Sequence, residues 1–414
     1  MSVKLALQLD KVLESGPNLF FYLEPGQKIN LMSRTYRTSI DVDKDNIFEI
    51  AGFLKSTVFD ENVLLIGWDF KKFFTFHRLC CGNNFSFEAK LLDLKIAESF
   101  LGIKKGVPIN FDELKARLMV LISHPSWSNF KTLHQKVYQP LFSQVMPSIE
   151  CEGVFDKVQR KILYPSYEIE GSVNGRLSCS KTLGFNPHST NEDERKNCVP
   201  KYNDNSFIYL DYSNMEVAML GWLSKDEYLM DILREFDFYK VLFKLLSGKE
   251  AETENQRNFC KNIFLPVIFG QSVDSLSQEL SLPIDATKKI VEKLRKLFVK
   301  SFDWVDNYKP CGEIYKDYVG RCRTFEAGKE YKYKNFIIQA PAALFCLEKL
   351  VNLYADLTIY GNIVAHIHDG YLIRVEQKRA LEMETLAKIS LESESTIFSG
   401  LHLRINSKIS KTFA

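Results

Sequence analysis

The sequence lacks most of the signals that announce a chemistry. Its nine cysteines include no Cys-x-x-Cys pair, and none stands at zinc-ligand spacing from the seven histidines. That argues against a zinc-ribbon or disulfide-framework protein and points to a reducing compartment. Charge of one sign is equally scarce: the net charge over 414 residues is +2, which leaves open whether any face attracts phosphates. There is no repeat and no low-complexity tract, so solenoids and arrays are excluded. The start, MSVKLALQLDKVLESG, has no long apolar core and no cleavage-like site, and no apolar run approaches span length. A soluble, cytoplasmic chain with no membrane partner is the expectation.

What is present is a hydrophobic content of 45%, enough for a large core and, at this length, roughly two or three domains. Lys, Asn, Ile and Phe are abundant, as in an AT-rich genome such as that of a phage. Up to about residue 130, short apolar runs such as Asn18 to Leu23 and Asn62 to Trp68 alternate with helical stretches, which predicts a small α/β domain. Lys131 to Ile162 reads as mostly helical. From Asp226 to about Tyr308 the apolar spacing is again helical, with Tyr228, Ile232, Leu233 and Phe236 at three- and four-residue steps. Strand-like runs flank that region, Ser206 to Leu210 before it and Ile363 to Ile367 with Tyr371 to Val375 after it. They predict one sheet built from two separated segments.

Two of those strands end in carboxylates. Phe207-Ile208-Tyr209-Leu210 leads into Asp211, and Asp369 stands in a tight turn between the last two strands. If the strands are neighbours the two carboxylates share a site, where like charges repel unless a divalent cation is present. Oxygen ligands and phosphate partners favour Mg²⁺, and two ions roughly 4 Å apart suit in-line displacement at phosphorus. Arg257 and Lys261 are four residues apart, so a helix projects both from one face, with Leu265 and Phe269 continuing the stripe. Two cations followed by two apolar groups could meet a triphosphate and then a base. Each feature alone also fits an ordinary turn or a solvated helix face.

The ordered set of Asn174-Gly175-Arg176-Leu177-Ser178, then Asp211-Tyr212-Ser213-Asn214-Met215-Glu216, then Arg257 with Lys261, then His368-Asp369, resembles the family A DNA polymerases, the DNA polymerase I type. The likeness runs from about residue 166 to the end. It implies an α/β and α+β multidomain fold: a right-hand palm with an antiparallel sheet and helical fingers, preceded by a ribonuclease-H-like α/β exonuclease remnant. The implied boundaries are 1–130 for the remnant, 131–165 for a helical connector, 166–225 and 325–414 for the two parts of the palm, and 226–324 for the fingers.

The resemblance also assigns roles. Asp211, Asp369 and the backbone carbonyl of Tyr212 would hold two Mg²⁺ ions. Arg257 and Lys261 would bind the incoming triphosphate and stabilise the departing pyrophosphate. Glu216 would crowd the sugar 2′ position and so favour deoxynucleotides. Asn214, Tyr239, Leu265 and Phe269 complete the nucleotide site, with Tyr239 in place of a phosphate-binding histidine. Arg176, Asn186, Gln339 and His368 would face primer-template DNA, Arg176 in the minor groove.

Departures from the family's pattern carry expectations of their own. Gly370 stands where a carboxylate usually follows His-Asp. Leu265 replaces an aromatic residue and Phe269 a common tyrosine. Pro266 cannot donate to Asn262 and predicts a kinked helix. Gln339, before Ala340-Pro341, replaces an asparagine. Only about 20 residues separate Gly153 from Asn174, too few for the paired helices of a thumb. Low processivity and an accessory protein that supplies the grip are therefore expected. In the amino-terminal region Gly67-Trp68-Asp69-Phe70-Lys71-Lys72-Phe73 and Leu91-Leu92-Asp93-Leu94 resemble two proofreading motifs, and an Asp-x-Glu is absent, Phe21-Tyr22-Leu23-Glu24 keeping at most the glutamate. No nuclease activity is expected. Lys329, Lys332 and Lys334, interleaved with Tyr331 and Tyr333 after Arg321 and Arg323, are candidates for template contact, whereas the basic residues from Lys288 to Lys300 read as a solvated helix face. The resemblance thus implies a template-directed DNA polymerase; the alternatives are a catalytically silent polymerase-like subunit that binds DNA or a partner, and a nucleotidyltransferase that works without a template or adds ribonucleotides.

Overall fold

The computed structural model describes residues 18–24, 28–32, 37–41, 64–70, 90–103, 111–179, 184–235, 237–357 and 360–413. They divide into two units. One comprises the described residues up to Leu210, Cys346–Leu391 and the stretch from Ser407; the other comprises Asp211–Phe345 and Glu392–Asn406.

The first unit begins with a five-stranded mixed sheet in the order Arg37–Asp41, Lys28–Met32, Asn18–Glu24, Leu64–Gly67, Lys90–Asp93. The first three strands are antiparallel and the last two join in parallel. Leu65, Ile66 and Leu91 are buried, as the near-continuous apolar runs of a covered parallel sheet require. A helical stretch follows from Trp127 to Glu152, with π-helical turns at His134–Tyr138 and Leu141–Val145.

The connector, read as mostly helical, is helical up to Glu152 and turns to strands after it. Gly153 ends the helix at φ +60°, and a Cβ there would lie 2.6 Å from the Leu163 carbonyl oxygen. Only glycine admits this close turn-back. Val154–Asp156 and Lys161–Pro165 then pair as antiparallel strands. They belong to a small sheet in the order Gly184–Phe185, Lys161–Pro165, Val154–Asp156, Cys198–Val199. The apolar β-branched and aromatic residues of this segment, Val154, Phe155, Ile162 and Tyr164, suit strands better than a helix.

A second four-stranded sheet has the order Gly361–Ile367, Gly370–Glu376, Asn205–Tyr212, Ile405–Ser410. The two segments that sequence pattern assigned to one sheet are indeed neighbours in it. Phe207, Val364 and Leu372 from this sheet meet Val154, Phe185 and Phe413 in one hydrophobic core.

Among the described residues of the second unit, six helices lie between Glu227 and Asp306. Phe264 packs 4.8 Å from Phe238 and 5.2 Å from Phe298, ring centre to ring centre, and these buried rings tie three of the helices together. Lys288, Lys289, Lys293, Arg295, Lys296 and Lys300 are all exposed, as a solvated face should be. Pro266 lies in the last turn of the Glu254–Ile268 helix, which stops two residues later. The proline therefore acts on the last turn, where it cannot supply the N–H that the Asn262 carbonyl would otherwise accept.

Among the described helices one, at 330–357, is long and apolar enough to cross a membrane, contrary to the reading of the sequence. It is largely buried within the protein, so its apolar composition serves the core.

Candidate active site

Asp211 lies near the end of the Asn205–Tyr212 strand, whose hydrogen-bonded neighbour is Gly370–Glu376. That neighbour begins directly after Asp369. The hairpin is tight: Ile367 pairs with Gly370, leaving His368 and Asp369 as the turn, with His368 at φ +56°. Tyr212 buries its ring against Phe345, centroids 5.4 Å apart, which fixes the backbone beside Asp211.

The structure accounts for Gly370. A Cβ at this position would lie 2.5 Å from the Tyr209 hydroxyl oxygen and 2.9 Å from its ring carbon Cζ. Tyr209 precedes Asp211 by two residues on the strand, so both side chains emerge from the same face. The phenol fills the space that a side chain at 370 would need.

The hairpin is held from behind by Tyr167, which sequence reasoning overlooked. Its fully buried hydroxyl donates to the His366 carbonyl oxygen (2.8 Å) and accepts from the His366 N–H (2.9 Å). His188 packs edge-on to the rings of Tyr167 at 5.9 Å and His368 at 4.7 Å. Burial, then His368, lowers the His188 pKa to about 4, and burial, then His188, lowers that of His366 to about 3. Arg176 lies close enough to contribute to both shifts. Its loop turns at Gly175, with Ser172 accepting from the Gly175 N–H through its carbonyl and from the Arg176 N–H through its hydroxyl. The Asn186 amide donates to the Cys179 carbonyl and its oxygen accepts from the His188 N–H, so this side chain closes a loop.

The cations sit in the second unit. Thr253 and Gln256 form a capping box that starts the Glu254–Ile268 helix one turn before Arg257. Cys260, Ile263, Phe264, Val267 and Ile268 are buried, while Lys261 is exposed and Arg257, Leu265 and Phe269 are half-buried. Arg257 is oriented by Asp237, its Nε donating to Oδ2 at 2.8 Å, and its guanidinium lies 5.4 Å from the centre of the Tyr239 ring. Asp237 works twice, because its Oδ1 accepts from the Tyr239 and Lys240 N–H groups and caps the next helix. Partial burial opposes the charge on Arg257, and the Asp237 and Glu254 carboxylates more than offset it. Burial, then the charge of Glu216, pushes the Tyr239 phenol well above its ordinary pKa, so it is a neutral donor.

Glu216 lies in the first turn of the Met215–Ser224 helix, where the dipole favours a carboxylate. It accepts from Gln339 Nε2 at 2.6 Å. The turn before it is fixed by the Ser213 N–H donating to the Arg404 carbonyl and by Asn406 Nδ2 donating to the Ser213 hydroxyl.

Other basic residues prove structural. Arg321 is fully buried, paired with Asp317 at 2.8 Å and donating to the Ala340 carbonyl, and Arg323 is buried against Phe336. Burial removes both from the set of template contacts. Lys334 pairs with Asp306 at 2.6 Å.

In the amino-terminal sheet, Asp93 accepts from the Asp69, Phe70, Lys95 and Ile96 N–H groups and caps a helix. The Lys95 ammonium lies 3.1 Å from both Asp69 and Glu168. Phe73 lies outside the described residues, and of Glu24 only the backbone is described.

Among the described residues no three His, Cys, Asp or Glu side chains gather closely enough to hold a metal. Two carboxylates fit Mg²⁺ all the same, because that ion commonly takes one or two carboxylates and completes its shell with water and substrate phosphates.

A four-stranded sheet with motif-bearing strands and a helical unit carrying paired cations are the features of a nucleotide polymerase fold. The chain belongs to DNA polymerase family A, whose model matches residues 126–414. DNA polymerase I of Helicobacter pylori strain J99 is 26% identical over 305 residues, covering 69% of this chain and 33% of that protein. The thermostable DNA polymerase I of Thermus thermophilus is 26% identical over 204 residues, covering 45% of this chain and 24% of that protein. The chain thus matches about a third or less of the length of these relatives. The POL domain of Pol1 from M. smegmatis, solved in complex with DNA primer-template and dNTP, shares the fold with a TM-score of 0.76 at 13% identity, covering 100% of this chain and 98% of that one.

Proposed function

We propose that this chain is a template-directed DNA polymerase that extends a primer 3′ end with deoxynucleoside triphosphates. The observation that carries the reading is the sheet order, in which the strand bearing Asp211 neighbours the strand that starts after Asp369. Asp211, Asp369 and the Tyr212 carbonyl would hold Mg²⁺, which when bound lowers the pKa of the attacking hydroxyl and neutralises charge on the leaving group.

The remaining work falls to side chains. Arg257, already oriented by Asp237, and Lys261, one turn further along the helix, bind the triphosphate through charge-assisted hydrogen bonds. Tyr239 adds a neutral donor beside them. Leu265 and Phe269 offer the nucleobase an apolar surface, and Glu216 crowds the sugar. Arg176, Asn186, Gln339 and His368 would contact the primer-template.

Proofreading is absent in this reading. Asp93 accepts from four backbone N–H groups, and the Lys95 ammonium already neutralises Asp69 from 3.1 Å. The short path from Gly153 to Asn174, built as strands, leaves no room for a helical thumb; weak hold on duplex DNA and an accessory protein follow.

The test is extension of a labelled primer-template by the purified chain with Mg²⁺ and four deoxynucleotides, beside an Asp211→Ala, Asp369→Ala double variant. Extension by the parent alone supports the reading. Failure of both at low salt and high enzyme concentration refutes it in favour of a binding subunit.

A further inference from the structure

The carboxylate that crowds the sugar can discriminate only if it is held still. Glu216 has three rotatable side-chain bonds and sits on the first turn of a helix, where side-chain freedom is large unless something restrains it. The restraint in this structure is an amide. Gln339 Nε2 lies 2.6 Å from Glu216 Oε1, and an ionised carboxylate can only accept, so the nitrogen must be the atom that faces it. The amide is itself well anchored, because Gln339 lies in the Tyr333–Leu357 helix between Ile338 and Ala340, both fully buried.

Among the other groups around the proposed nucleotide, Tyr239 also brings a polar side-chain atom near Glu216, whose charge, after burial, raises the phenol's pKa. Leu265 and Phe269 have none, so they can neither fix a carboxylate nor sense a 2′ oxygen. Arg257 is turned toward Asp237 and Glu254. Asparagine in place of Gln339 would be one methylene shorter, and the bond to Glu216 uses that reach.

Resting on the polymerase reading above, we infer that Gln339 is a positioning residue for sugar selection: it holds Glu216 across the 2′ side of the incoming nucleotide, so that deoxynucleotides are admitted and ribonucleotides refused. Discrimination in this chain is therefore shared between two helices, one carrying the barrier and the other its restraint.

The experiment is single-nucleotide addition by the full chain to one primer-template, with dCTP and CTP compared as kcat/KM for wild type, Gln339→Ala, Gln339→Glu, Glu216→Ala and the Gln339→Ala, Glu216→Ala double variant. The ratio of the two sugars is the readout. A role confined to folding or to DNA binding would change both numerators together and leave that ratio alone.

Loss of a charge-assisted bond predicts that Gln339→Ala lowers the deoxy-to-ribo ratio by about tenfold or more. Gln339→Glu, nearly isosteric but repelling Glu216, should lower it as well, with a melting temperature close to wild type. The double variant should fall no further than Glu216→Ala alone, because a restraint has no effect once the barrier is gone. A wild-type ratio in Gln339→Ala and Gln339→Glu, alongside a reduced ratio in Glu216→Ala, overturns the inference and leaves the polymerase reading intact. So does a double variant that loses the product of the two single effects. A wild-type chain that adds neither sugar overturns both readings together.

Discussion

Replacing Tyr167 by Phe removes one oxygen atom and should cost far more than its size suggests. That hydroxyl makes two hydrogen bonds to the backbone of a single residue, donating to the His366 carbonyl and accepting from the His366 N–H. Both residues are buried, so water cannot take over either role. An orphaned buried N–H costs about 1–3 kcal/mol, and a carbonyl with a second lone pair somewhat less, so the loss should be about 2–4 kcal/mol. The ring remains to pack against His188, which separates the hydrogen-bond effect from a cavity effect.

Urea unfolding of parent and variant gives the free-energy difference, and amide hydrogen exchange at His366 locates it. Exchange there should accelerate by at least about a hundredfold if the loss exceeds ~2.8 kcal/mol. Burial raises the Tyr167 pKa well above its ordinary value, so the difference should hold steady between pH 7 and 9. A stability change below about 0.5 kcal/mol with unaltered exchange would show that the hairpin carrying Asp369 is fixed without the phenol, and the argument for its support would fail.

Asp237→Asn keeps the capping oxygen and removes the charge that orients Arg257; stability should change by less than about 1 kcal/mol because the pair is partly exposed, while KM for a deoxynucleotide rises about tenfold in steady-state extension. Gly370→Ala should destabilise by about 1–3 kcal/mol through contact with Tyr209, and Tyr209→Ala should relieve that penalty, so a double-mutant cycle by urea unfolding must show coupling. His134 is buried, accepts from the Asp93 N–H through Nε2, and has its pKa lowered from 6.5 to about 3 by burial. Below pH 6.5 the unfolded chain takes up a proton that the folded chain refuses, so stability should fall with acid, by about 2 kcal/mol between pH 7 and pH 5. His134→Gln should remove that share of the slope in melting curves and leave the share of the buried His188 and His366, and an unchanged slope would show that His134 contributes none of it.

The parts of this fold that sequence could anticipate are those governed by local pattern. Apolar strands ending in Asp211 and before Asp369, the two-residue turn between paired strands, and a helix with Arg257 and Lys261 one turn apart all follow from spacing, and the order of these motifs identified the family. What escaped was reciprocal and long-range. Tyr167 lies far from His366 in sequence, and Gln339 far from Glu216, so neither bond leaves a trace in any window of residues. Asp237 gives no sign of a double role in the sequence, and only the folded helices show one oxygen capping a helix and the other on Arg257. Gly370 looked like a loss until Tyr209 was seen in its place. Arg321 and Arg323 were misread because neighbouring lysines and tyrosines suggested a wet surface, whereas Asp317 and Phe336 draw both arginines into the core. The connector is helical up to Glu152, as its pattern suggested, and only there does a single glycine at φ +60° turn the chain into strands.

The bond between Tyr167 and His366 bears on solubility as well. Gly361–Ile367 is an outer strand of its sheet, and an outer strand displays a ladder of N–H and C=O groups on which a foreign strand could grow. Tyr167 already holds both groups of one rung, from a segment that packs over that margin. A second molecule arriving there would find the ladder interrupted two residues before the turn, next to the aspartate on which the proposed chemistry depends. One phenol thus takes up both groups of a rung that an added strand would need.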